Sequence, residues 1–155
     1  QPNYIVWSEL PVVFTPYEIE FDAEAPNTNA AGSFGVMCHI QDESNYYSIE
    51  IDLFNRVFSI ARVLNDEIIP LTDPEWWGIP GLEETAGSSN HYLVNCYTNQ
   101  IMLFVNGAMA GVAPLTEDGS FKAPGKMALF VATWDGAGEE GYQVFFDNVN
   151  AWFVR

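Results

Sequence analysis

Asn95-Cys-Tyr-Thr-Asn-Gln-Ile-Met-Leu-Phe-Val-Asn-Gly-Ala-Met-Ala-Gly-Val112 is the stretch on which the fold class turns. Its two apolar runs flank Asn106-Gly107, the pair that most readily accepts positive φ at both centres of a two-residue type I′ turn. A β-hairpin is therefore predicted. Thr98-Asn99-Gln100 supplies a second polar turn just upstream. His91 to Val112 thus reads as three short antiparallel strands, the meander from which all-β sandwiches are built.

The same rhythm runs outward in both directions. Tyr17, Ile19, Phe21 and Ala23 alternate with Glu18, Glu20, Asp22 and Glu24, the period-2 pattern of a strand with one packed and one wet, acidic face. Tyr4–Trp7 and Pro11–Thr15 are extended before it, and 26–32 is a loop. Strands follow at Phe34–Ile40, Tyr46–Asp52, Val57–Val63 and Glu67–Leu71, joined by short polar turns. Thr72 to Asn90 breaks this spacing and is the longest irregular segment, the kind that in compact domains tends to carry function. Met127–Thr133 and Tyr142–Val154 are the closing strands, separated by a Gly-rich acidic loop. No long 3.6-period segment, internal repeat or linker is visible, so residues 1–155 are expected to form one antiparallel β-sandwich domain.

Charge narrows the partners. Five Lys and Arg stand against twenty-one Asp and Glu, a formal net charge of −16. Such a surface repels a phosphate backbone and an anionic bilayer alike, so nucleic acid is not expected as a partner. No run has the length needed to span a membrane, and no membrane insertion is expected. A chain opening on Gln1 reads as a mature product or as a fragment of something longer. The two cysteines, Cys38 and Cys96, match no zinc or redox spacing. They are either buried thiols or, in keeping with an extracellular type of composition, a disulfide closing a loop of nearly sixty residues.

Three segments in order, Phe34-Gly-Val-Met-Cys-His-Ile-Gln-Asp-Glu-Ser-Asn-Tyr-Tyr47, Cys96 with Ile101-Met-Leu-Phe-Val-Asn-Gly107, and Phe146-Asp-Asn-Val149, resemble the concanavalin A-like jelly-roll domains. The resemblance is greatest to the laminin-G-like and 3-keto-disaccharide hydrolase-type modules of secreted bacterial proteins, and covers roughly residues 17 to 154. It implies two packed antiparallel sheets, an extracellular or cell-surface setting and glycan or other ligand binding. Relatives of that kind usually open with a further strand. If it is missing here, an open sheet edge would favour homo-oligomers by strand exchange.

Candidate chemistry is sparse. Glu50-Ile-Asp52 resembles the first two carboxylates of the jelly-roll glucanase strand, but Phe54 and Asn55 occupy the places where the third would stand. A glycosidase needs a second, acidic carboxyl across the bond it cleaves, so no catalytic residue is assigned. His39 and His91 read as half-exposed strand or loop-edge residues. Adjacent Trp76 and Trp77, in the long irregular segment, cannot both face the core if the chain there is extended. Sugar rings stack on indoles, and Asp73, Glu75, Glu83 and Glu84 could accept hydroxyl hydrogen bonds beside them. Trp134-Asp135 is a second candidate for the same rim, whereas Trp7 and Trp152 read as core or edge-strand residues. Asp22 and Asp147 become candidate Ca²⁺ ligands if the first and last strands pair.

The leading expectation is a non-catalytic module binding a glycan or cell-surface polysaccharide through Trp76 and Trp77. A structural or adhesive subunit assembling through an open edge is second, and a glycoside-active enzyme third.

Overall fold

A computed structural model of the protein describes residues 4–11, 13, 17–26, 31–83, 87–115, 124–135 and 141–154. All its regular elements are strands: β1 (Tyr4–Glu9), β2 (Tyr17–Glu24), β3 (Gly32–Asp42), β4 (Asn45–Asp52), β5 (Val57–Leu64), β6 (Glu67–Pro70), β7 (Trp77–Gly78), β8 (Asn90–Cys96), β9 (Gln100–Val105), β10 (Ala108–Pro114), β11 (Lys126–Thr133) and β12 (Phe145–Phe153). They form two antiparallel sheets. One runs β1-β11-β3-β4-β5-β6, with the short β7 also paired to β5, and the other runs β10-β9-β8-β2-β12. Among the described residues, no helix is long and apolar enough to cross a membrane.

The hairpin forms where its turn chemistry places it. Asn106 and Gly107 have φ of 48° and 81°, and Ala108 pairs with Val105 across the turn. Asn106 also acts at longer range. Its Nδ2 donates to the Gly81 carbonyl at 2.8 Å and to Asn90 Oδ1 at 2.7 Å, and its Oδ1 accepts from the His91 amide at 2.9 Å. A turn residue thereby ties the meander to the end of the long irregular segment. β2 keeps its alternation, with Tyr17, Ile19 and Phe21 buried and the acids half-buried on the other face.

The core lies between the sheets. Phe34 from β3 meets Tyr92 from β8 edge-on at 5.4 Å and Phe146 from β12 at 5.9 Å, while Phe21 from β2 touches both partners. Aromatic pairs in such arrangements contribute about 0.5–1.5 kcal/mol each beyond their buried area. Cys38 and Cys96 are joined as a disulfide with a Cα–Cα separation of 6.2 Å. Their strands belong to opposite sheets, so the bond crosses the core rather than linking neighbours within one sheet.

Three local expectations are corrected. Trp77–Gly78 pairs with Val57 and Phe58 inside the segment expected to be irregular, because the Trp77 ring finds an apolar seat there. β12 begins at Phe145 rather than Tyr142, since the Tyr142 ring packs on the Gly32 backbone instead of joining a ladder. His39 is fully buried rather than half-exposed: it has a φ of 51°, and its amide donates to the Tyr17 hydroxyl at 3.2 Å. Burial holds its imidazole below the ordinary histidine range. Most of Pro11–Thr15 lies outside the described residues.

Candidate functional site

The face of the larger sheet turned away from the core carries a groove of about 270 Å³. Strand alternation selects its lining. Phe34, Ile49, Ile51, Phe58 and Ile60 point into the main core, so the residues between them face the other way. Met37, Ser48, Glu50, Ser59, Ala61, Val63 and Phe130 form the floor, with Tyr46, Ile68 and Ile5 around it. Met37, Ala128, Phe130 and Ala132 make a second apolar cluster on this side, which gives the sheet two packed faces at its centre. Cross-strand pairing places Trp7, Phe130, Gly35, Glu50 and Ser59 in one row. Gly35 leaves room for its neighbours, because a Cβ there would stand 3.0 Å from the Phe130 ring and far closer to the Ile49 carbonyl.

The irregular segment closes one end of the groove. Glu75 and Trp76 line it from that segment, and Trp134 lines it from the residue after β11. The two indoles meet edge to face, with centroids 6.3 Å apart and planes at 74°. The Thr72 hydroxyl donates to the Glu75 carbonyl and holds the turn. Trp134 is held by its amide, which donates to the Ala31 carbonyl at 3.0 Å. Trp77 turns the opposite way. Its ring stands edge-on to Phe58 at 6.0 Å and packs against Gly111. Of the four residues singled out for the rim, Trp76 and Trp134 are thus brought together. Trp77 supports the segment from the core side, and Asp135 is exposed just beyond Trp134. Among the acids named beside them, Glu75 lines the groove and Glu84 lies outside the described residues.

Glu50 and Asp52 have separate surroundings. Asp52 is 2% exposed, and its carboxylate accepts from the Asn55 amide at 3.0 Å and from Asn55 Nδ2 at 2.6 Å, bracing the β4–β5 turn. Phe54, at one of the two places for a third carboxylate, is 61% exposed at that turn. Glu50 faces the groove and accepts a hydrogen bond from Ser33 Oγ at 2.5 Å. Burial pushes its carboxyl above the ordinary carboxylate range; the Ser33 bond opposes this, and repulsion from Asp52 and Glu75 adds to it. Sequence reasoning noted Glu50 for a glucanase-like spacing, yet it did not place the residue opposite the tryptophans.

The outer face of the smaller sheet carries the candidate cation ligands. Asp22 and Asp147 are register partners across β2 and β12. Asp22 is already engaged, with Oδ1 2.9 Å from His91 Nδ1 and Oδ2 accepting from Asn148 Nδ2 at 2.7 Å. Asp147 accepts from the Asn148 amide at 2.7 Å. The bonds from Asn148 and His91 hold the Asp22 carboxyl below its ordinary range. Among the described residues, no group of three or more His, Cys, Asp or Glu is gathered for a metal ion.

No family model and no curated sequence matches the chain. Solved structures match it in shape. The carbohydrate binding module CBM66 from Bacillus subtilis superposes with a TM-score of 0.73 at 14% identity, covering 97% of this chain and 83% of that one. A GH16 protein of the Bacteroides ovatus mixed linkage glucan system reaches 0.69 at 10% identity, with 96% and 74% covered. Galectin LEC-6 from Caenorhabditis elegans reaches 0.62 at 10% identity, with 98% and 93% covered. At such identities the likeness is one of fold. The chain is a concanavalin A-like jelly roll, in agreement with the resemblance carried by its ordered motifs.

Proposed function

We propose that this protein is a non-catalytic carbohydrate-binding module of extracellular or cell-surface setting, taking a glycan along the groove of the larger sheet. The observation that carries the reading is the Trp76–Trp134 pair at the end of a groove whose floor is both apolar and polar. Pyranose rings present flat C–H faces that match indole rings, and their hydroxyls donate to carboxylates and exchange hydrogen bonds with serines. Glu50, Ser48 and Ser59 supply those partners. Trp77 acts as the anchor that holds the segment in register with β5. The shared fold with a carbohydrate binding module and galectins supports this reading, as does the disulfide for the extracellular setting.

Truncating a tryptophan that acts as a binding hot spot costs about 2 kcal/mol or more. By the relation of 1.4 kcal/mol per factor of ten, that is about thirtyfold in affinity. Trp76→Ala is therefore expected to weaken glycan binding by at least that factor in isothermal calorimetry while lowering the melting temperature by no more than about 6 °C, since losing the one edge-to-face pair with Trp134 costs about 0.5–1.5 kcal/mol and each kcal/mol moves the midpoint by about 2–4 °C. Unchanged affinity in that variant would remove the groove from consideration.

A second reading, a structural subunit assembling with further copies of itself, is favoured by one contrast among the sheet edges. β6 is four residues long and ends on Pro70, and β10 is bulged between Met109 and Gly111 and ends on Pro114. Those are the devices that blunt an edge. β12 carries a bulge of its own between Asp147 and Asn150, but it has nine residues, no proline and a single charge, Asp147, with Phe145 61%, Val149 39% and Trp152 38% exposed. Light scattering is expected to show mass rising with concentration for the wild type and monomers for a Val149→Lys/Trp152→Lys variant. A monomer at millimolar wild-type concentration would dismiss this second reading.

A further inference from the structure

We infer that the glycan taken by this groove is an amino-sugar chain bearing free, protonated amino groups, with one ammonium seated at Glu50 and Glu75 beneath the Trp76–Trp134 pair. The inference rests on the glycan-binding reading and narrows it to a substrate class. Among the described residues, Glu50 and Glu75 are the two charged side chains lining the groove, and both are acids. Three Lys or Arg fall among the described residues, and none of them lines the groove. Lys126 pairs with Glu9 at 2.7 Å, Arg56 sits in the β4–β5 turn, and Arg62 lies between Ala61 and Val63, which take the groove side of β5.

Glu50 is thus a largely covered carboxylate beside two further acids, Asp52 and Glu75, with the Ser33 hydroxyl donating to it. An ionised carboxylate has about four acceptor sites, and charge removed from water is costly unless it is compensated. A sugar hydroxyl donates a hydrogen bond but leaves the charge standing. An ammonium supplies three donors and the opposite charge together. The aromatic walls point the same way: Trp76, Trp134 and Tyr46 all line the groove, and a cation within about 6 Å of an aromatic face is attracted by the ring quadrupole. An acetylated amine presents neither the charge nor the three donors, and a uronic acid would meet two like charges.

The test compares three β-1,4-linked hexamers by calorimetry, of glucosamine, N-acetylglucosamine and glucose, at a pH that keeps the free amine protonated. The glucosamine hexamer is expected to bind at least tenfold more tightly than either other chain. That preference should collapse in Glu50→Gln and weaken in Glu75→Gln, whose exposed position leaves the fold intact. Equal or tighter binding of the glucose or acetylated hexamer overturns the inference and leaves glycan binding standing. A preference that survives in both variants also overturns it, because attraction between a polycation and a chain of net charge −16 would then explain the result. If none of the three hexamers binds and a panel of other neutral glycans does, the inference alone falls; if no glycan binds, the reading beneath it falls as well.

Discussion

Replacing both Cys38 and Cys96 with alanine is expected to lower stability by about 4 kcal/mol on the chain-entropy estimate for a loop of this length. The bond spans 58 positions in sequence, and its removal frees that loop in the unfolded chain. For a domain of this size each kcal/mol moves the melting temperature by about 2–4 °C, so the midpoint should fall by roughly 8–16 °C. The loss has a second source in the folded state. Both residues are fully buried between the sheets, and the bond is the covalent tie from β3 to β8 across the core. Alanine leaves part of the sulfur volume unfilled, which adds a smaller packing cost. Thermal unfolding followed by near-ultraviolet circular dichroism measures the effect. A midpoint within 3 °C of wild type would mean that the sheets hold together without the bond.

Gly35→Ala should come next in severity, with a loss of about 3 kcal/mol or more, at the upper end of what overpacking usually costs. The reason is which atoms the new methyl would meet. A Cβ at Gly35 would lie 1.8 Å from the Ile49 carbonyl oxygen, and that oxygen belongs to backbone in the central β3–β4 pairing. A side chain could rotate away, but a ladder carbonyl moves only by separating the strands. Glu50 pairs with Gly35 and sits beside Ile49, so the displacement reaches the groove floor directly. Chemical denaturation is expected to show the loss of stability, and the glycan binding proposed for the groove should weaken along with it. Wild-type stability in Gly35→Ala would show that β3 and β4 can separate locally at small cost.

Much of the strand order was legible in the chain because each signal is local. Asn106-Gly107 dictates its turn through the φ values those two residues accept, and the alternation of Tyr17 to Glu24 dictates which side of β2 is packed. β3 shows where local reading stops. Its residues from Gly32 to Ile40 are all buried, so no alternation marks a face, and only the cover from Phe130, Ala132 and neighbouring strands explains that burial. The burial of His39 is hidden for the same reason: a polar residue in an apolar run carries no sign of the Tyr17 hydroxyl that accepts from its backbone amide.

The candidate site was legible in part. Trp76, Trp77, Trp134 and Asp135 stood out as aromatic and acidic residues in the loops, and Glu50 stood out by its spacing from Asp52. Nothing in the chain said that Trp77 would pack on Phe58 while Trp76 met Trp134, or that Ser33 would hold the Glu50 carboxyl. Those pairings join residues far apart in sequence, Trp76 with Trp134 across 58 positions and Ser33 with Glu50 across 17.

By itself, then, the amino-acid order determined that this is an antiparallel sandwich, where most of its strands and turns fall, and that its net charge opposes anionic partners. Those properties depend on backbone preference, side-chain period and summed charge, each of which is read along the chain. Only the tertiary structure decided that β3 and β8 face one another across the core, that one face of the larger sheet bears a groove, and that Glu50, Glu75, Trp76 and Trp134 share it. The physical reason is that a site is made by the register between strands and the packing of loops on sheets, and neither is a property of any single segment.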